Sequence, residues 1–114
     1  MLGLALAAMV AGAQTDRDTV CATLYSYLGE SARLAGMSAA FFDGAAVTAE
    51  TEHLARNPAE DRARYAQEVS DGVAIIRDGL ARGAITSATV MTTATACNGR
   101  YFSTAAPGDE AVTR

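Results

Sequence analysis

The stretch Ser87-Ala88-Thr89-Val90-Met91-Thr92-Thr93-Ala94-Thr95-Ala96-Cys97 decides what kind of fold this chain adopts. On propensity alone it reads as a strand, because Thr and Val crowd it with β-branched side chains. A strand must hand its N–H and C=O groups to a neighbour, and no other segment of the chain offers one. A helix satisfies its own backbone, so helix over about 86–97 is the favoured reading and strand the alternative. The first gives an all-α protein, the second an orphan strand.

The segments before it support the helical reading. Over 58–82 the apolar positions Tyr65, Val69, Gly72 or Val73, Ile76 and Leu80 recur at the three-and-four spacing of one helix face. Asn57-Pro58-Ala59-Glu60 looks like the start of this helix, with Asn as cap, Pro at the first helical position and Glu closing a capping box. Arg82-Gly83 looks like its end, a cation on the last turn followed by a C-cap glycine.

A second helix is expected over 38–56, with Phe41, Gly44, Val47, Thr51 and Leu54 as its better stripe and Phe41, Ala45, Thr48, Thr51 or Glu52, and Ala55 as a weaker one. Gly44 lowers helix propensity by about 1 kcal/mol against Ala and is read as a point of close helix approach. Core packing is the default reading of the Phe41-Phe42 pair; neighbours on a helix point ~100° apart, so the alternative is one exposed ring, and an exposed Phe42 would form a partner-binding patch. The first helix opens at Thr15-Asp16-Arg17-Asp18, a capping-box pattern with acids at the dipole's positive end. Val20, Cys21, Leu24, Tyr27, Leu28, Ala32 and Ala35 form its stripe, and Gly36 ends it.

The cysteines test this layout. The chain has two, Cys21 and Cys97. In an up-and-down bundle of four helices, Cys21 lies thirteen residues below the first turn, about 20 Å of helix. Cys97 lies eleven to thirteen residues below the last turn, roughly 16–20 Å, so both thiols reach a similar height. A strand would overshoot at ~3.3 Å per residue. The expected fold is therefore an all-α, up-and-down four-helix bundle closed by a Cys21–Cys97 disulfide. Asn98-Gly99 is read as the stop, which makes 14–98 the helical domain and 99–114 a mobile C-terminal tail.

The N-terminus points to export. Residues 2–10 are all Leu, Gly, Ala, Met or Val, and Ala11-Gly12-Ala13 follows as an A-x-A cleavage site. Residues 1–13 are accordingly expected to be a signal peptide, although no Arg or Lys precedes the apolar run. Export places the protein in the periplasm or outside the cell, an oxidising setting that suits a disulfide. No apolar run approaches the ~20 residues of a membrane span, so an integral membrane protein is not expected.

Composition narrows the chemistry. The 114 residues carry nine Arg, no Lys and a formal net charge of −4. That balance lacks the basic face of a nucleic-acid binder, and it removes lysine chemistry altogether. There is no G-x-S-x-G elbow and no C-x-x-C pair. Glu50 and His53, three apart on one helix, have the E-x-x-H spacing of di-iron bundles. Such a centre needs two such pairs, and this chain has a single His, so His53 is expected to be solvated or to cap the helix end. No catalytic, metal or cofactor residue is assigned, and an enzyme is the less favoured reading.

Cys21-Ala22-Thr23-Leu24-Tyr25-Ser26-Tyr27-Leu28 near the start of the first helix, with Cys97 after a short last one, resembles small exported two-cysteine helical proteins of proteobacteria over about 16–98. The chain is also similar in size and single disulfide to periplasmic acid-stress chaperones, though it lacks their lysines. These resemblances imply a non-enzymatic exported protein that binds a partner, another envelope protein, with an acid- or stress-activated holdase as the alternative. Neither assigns a functional residue.

Overall fold

The computed structural model describes residues 16–102. The expected signal peptide, Gln14, Thr15 and residues 103–114 lie outside the described residues. All regular structure among the described residues is helical: α1 (Arg17–Leu34), α2 (Ala40–Arg56), α3 (Arg62–Arg82) and α4 (Ser87–Tyr101).

The deciding stretch is a helix. Thr86 caps it, its Oγ1 accepting from the Thr89 N–H at 3.1 Å. The threonines that favour a strand spend their hydroxyls inside the helix: Thr93 donates to the Thr89 carbonyl at 2.9 Å and Thr95 to that of Met91 at 3.0 Å. Such i−4 bonds give β-branched Thr a satisfied rotamer on a helix. The helix also runs through the expected stop at Asn98-Gly99 and on to Tyr101, which moves the domain boundary from 98 to at least 102. Tertiary bonds hold these last turns. The Tyr25 hydroxyl donates to Asn98 Oδ1 at 2.7 Å, and Arg100 and Tyr101 both reach Asp18.

Other ends match physical expectation with shifted residues. Asp16 caps α1, Oδ1 accepting from the Thr19 N–H at 2.8 Å, and Gly36 leaves the helix at φ 75°. Gly83 ends α3 at φ 78°. The start of α3 is corrected, however. Asp61 is the cap, bonded to the N–H groups of Ala63 and Arg64, and the helix begins at Arg62. Asn57 instead closes α2, its Nδ2 donating to the His53 carbonyl at 2.9 Å, while Glu60 turns its carboxylate to His53.

Helices α2, α3 and α4 pack mainly on α1 and hardly on one another. The first half of α1 is therefore buried on every side: residues 18–25 are buried without a break, Asp18, Thr19 and Thr23 included. Arg33 pairs with Asp43 at one end of α1 and Asp18 with Arg56 at the other, so α2 runs antiparallel to α1. Glu30 meets Arg77, and α3 returns alongside α1. The C-terminal half of α4 then crosses the first half of α1, where Cys21 and Cys97 are disulfide-bonded with Cα atoms 5.7 Å apart. This is the expected four-helix bundle with its bridge.

Two expectations for α2 fail. Its buried positions are Ala45, Ala49 and His53, with Phe42 and Ala46 packed beside them, whereas Phe41 and Val47 are more than half exposed. Neither predicted stripe is the packed one, because the interface with α1 is built from small residues that a hydrophobicity reading undervalues. Gly44 faces open space. The close approach is at Gly29, where a Cβ would lie 2.8 Å from Asp43 Oδ1. The α3 stripe is as read, with Tyr65, Gly72, Val73 and Ile76 buried.

Candidate functional site

The polar residues of the bundle converge at the N-terminal end of α1. Asp18 is fully buried, and its carboxylate is met from two other helices. Arg100 Nε donates to Oδ1 at 3.0 Å, the Tyr101 hydroxyl donates to the same oxygen, and the Arg56 guanidinium faces Oδ2 as an ion pair. A buried carboxylate persists only when its desolvation is offset in this way.

Three residues before Arg56 on α2 lies His53, buried rather than solvated or capping. Its Nδ1 is 2.8 Å from Asp16 Oδ2, and its Nε2 is 3.0 Å from Glu60 Oε1. The ring stacks on Tyr65, with centroids 4.4 Å apart and planes inclined by 14°. Burial pulls the His53 pKa down, but hydrogen bonds to Glu60 and Asp16, with their charges, outweigh it and leave the value raised. Burial pushes Asp16 up, and the Thr19 and His53 hydrogen bonds more than reverse it. Burial raises the Tyr65 phenol to about 12, and its hydroxyl lies beside Thr19 without a hydrogen bond of ordinary geometry.

The arrangement is ill suited to catalysis or metal binding. Both nitrogens of His53 are engaged by carboxylates, which leaves neither open to a substrate. Because those nitrogens point in opposite directions, Asp16 and Glu60 cannot converge with the ring on one ion. Glu50, the other half of the E-x-x-H pair, sits 3.7 Å from Arg62 instead. Among the described residues no group of His, Cys, Asp and Glu could hold a metal. Sequence reasoning singled out His53 by its spacing to Glu50, but its real partners lie on α1 and the α2–α3 connection.

Two surface features remain. A cleft of about 180 Å³ opens between α1, α2 and α3, walled by Ala22, Ala46, Val47, Glu50, Tyr65 and Val69. At the opposite end of α2 the aromatic rings gather. Phe41 contacts Tyr25 edge-on at 6.3 Å and Phe102 at 5.5 Å, yet remains 53% exposed. Leu34 and Met37, in the α1–α2 turn region, are also largely exposed. The exposed ring is thus Phe41, not Phe42, which packs against the core. No described helix is long and apolar enough to cross a membrane.

No protein-family model matches the chain, and no curated protein or solved structure shows significant similarity to it.

Proposed function

We propose that this chain is an exported helical binding protein that contacts another envelope protein through the aromatic patch around Phe41. The observation that carries this reading is the Phe41–Phe102 pair, two rings in contact that leave one face to solvent. Exposed Leu34 and Met37 flank the same end of the hairpin. A cluster of large exposed apolar side chains is what a docking surface requires, and a lone exposed side chain is not. The nearby Arg33–Asp43 pair at 2.9 Å is self-neutralising, so recognition here is apolar and salt-tolerant. Export rests on the apolar run and Ala11-Gly12-Ala13, and the Cys21–Cys97 bridge suits an oxidising compartment.

The test is site-specific photo-crosslinking in an exporting cell. A photoreactive residue at Phe41 should trap a discrete partner that one at Thr92, on an exposed turn of α4, does not. Equal adducts from both positions, or none from either, would overturn the reading. Mass spectrometry of the same material should find Gln14 as the first residue.

The carboxylates at this end, Asp18 fully buried and Asp16 and Glu60 partly so, favour a second reading, an acid-activated holdase. Asp16, Asp18 and Glu60 tie the helix ends together, and acid would neutralise them. Light scattering of an aggregating client at low pH decides it, because failure to suppress aggregation at any pH removes the holdase.

A further inference from the structure

The His53 site carries an inference that does not depend on the aromatic patch. A neutral imidazole has one N–H donor and one lone pair. Here both nitrogens lie within hydrogen-bond distance of carboxylate oxygens, so a neutral ring would set its lone pair against one of them. We propose that His53 is a proton-gated latch: as an imidazolium it ties the start of α1 to the α2–α3 connection, and loss of its proton frees that connection.

The surrounding groups determine which side lets go. From α1, Asp16 uses Oδ2 for His53 and Oδ1 to cap the helix, so it is fixed by two bonds. Asp18, next on α1, is occupied by Arg56 of α2 and by Arg100 and Tyr101 of α4, so α4 sends no charge to the ring. On α2 itself, Glu50 faces Arg62 and Glu52 faces Arg56. From α3, Tyr65 offers its ring face and Arg64 lies 3.5 Å from Glu60. Glu60 belongs to residues 57–61, where its own N–H bonds only the Asn57 carbonyl across a turn. A neutral His53 therefore keeps its proton toward Asp16 and presents a lone pair to Glu60, which swings out.

The consequence reaches α3. The ties between the α2 side and α3 at this end are the His53–Glu60 bond, the His53–Tyr65 stack and the Glu50–Arg62 pair. Tyr65 is also a wall of the cleft between α1, α2 and α3. Releasing the connection loosens that wall while the disulfide holds α4 on α1. The latch is closed below the His53 midpoint and opens as pH rises through it.

His53 is the chain's one histidine, so its ring signals are unambiguous. The test is long-range ¹H–¹⁵N NMR of the labelled, disulfide-bonded chain from pH 5 to 9, paired with hydrogen-exchange protection factors. Below the midpoint both ring nitrogens should be protonated, and that midpoint should lie above the ordinary 6.5. Above that midpoint, protection at residues 57–61 should fall by tenfold or more, and protection in α4 should not change. Glu60→Gln, which keeps size and polarity, should lower the midpoint and protection at 57–61 together. His53→Gln should show low protection there at every pH. A single-N–H tautomer persisting at pH 5, a midpoint at or below 6.5, or protection that ignores the titration would each overturn the latch.

Discussion

Asp18 and Arg100 meet at 3.0 Å three residues from Cys21 and Cys97 respectively, so an ion pair with a buried carboxylate and a covalent bond lie one helical turn apart on the same α1–α4 seam. Both close contacts separated by more than seventy residues of chain. They differ in how they fail. The disulfide is one bond, whereas Asp18 has two arginines, each of which covers for the other.

That redundancy predicts non-additive losses. Arg56→Met or Arg100→Met alone leaves Asp18 one cation, and each should cost about 1–1.5 kcal/mol, less than the ~1.5–3 kcal/mol of a hydrogen bond to a charged group because both arginines are partly exposed. The double variant strands a fully buried carboxylate and should cost about 3–5 kcal/mol. Urea unfolding of all four proteins gives the coupling energy directly. A double loss equal to the sum of the singles would show that the two arginines act independently.

Reduction should act on the same seam more severely. Cys21 and Cys97 are 76 residues apart, and closing such a loop contributes about 4 kcal/mol in the chain-entropy model. For a domain of this size that is a melting-temperature drop of roughly 15–30 °C. Cys21→Ser with Cys97→Ser should melt near the verified reduced chain. An unchanged melt would remove the bridge from the stability of the fold.

How far the sequence carried depends on where each residue's partners lie. The α3 stripe from Tyr65 to Leu80 and the 21–97 bridge were legible, because helix periodicity and helix rise are local rules. Helix ends were legible in kind and displaced in detail: Asp61 took the cap that Asn57-Pro58 advertised, since Asn57 was needed on the His53 carbonyl and Glu60 on the ring. The packed face of α2 was hidden because Ala45 and Ala49 carry little hydrophobic signal while allowing α2 to approach α1. The candidate site was hidden for a different reason. Asp16 and Asp18 stand at one helix start, while His53, Glu60 and Arg100 come from α2, the α2–α3 connection and α4, and no spacing rule links an acid at one helix start to a cation on the last turn of another.

The buried phenols predict an alkaline limit. Burial raises both Tyr25 and Tyr65 to about 12 and raises Tyr101 as well. A phenol raised in the folded state favours folding below its unfolded value near 10, and that contribution is lost as pH climbs toward 12. Titration at 295 nm should therefore show less tyrosinate at pH 11 in the native chain than in 6 M guanidinium. Stability by urea should fall between pH 10 and 12. Identical titration curves for the folded and unfolded chains would mean that the three rings are solvated.

Glycines give the sharpest contrast, because two helical glycines in this bundle call for opposite outcomes from one substitution. Gly44 lies inside α2 with nothing near the position of a Cβ, so Gly44→Ala gains helix propensity and should stabilise by about 0.5–1 kcal/mol. Gly79 lies inside α3, where a Cβ would sit 2.6 Å from Ile85 Cδ1 and 2.9 Å from Cγ1. Ile85 is itself buried in the core, so it has little room to give. Gly79→Ala should thus cost about 1–2 kcal/mol despite the same propensity gain, since forcing volume into a packed core costs about 1–3 kcal/mol. Chemical denaturation of the two variants beside the parent reads the sign of each. A stabilised Gly79→Ala would mean that the α3–α4 turn is looser than the Ile85 contact requires, and a destabilised Gly44→Ala would mean that α2 has a neighbour at that face.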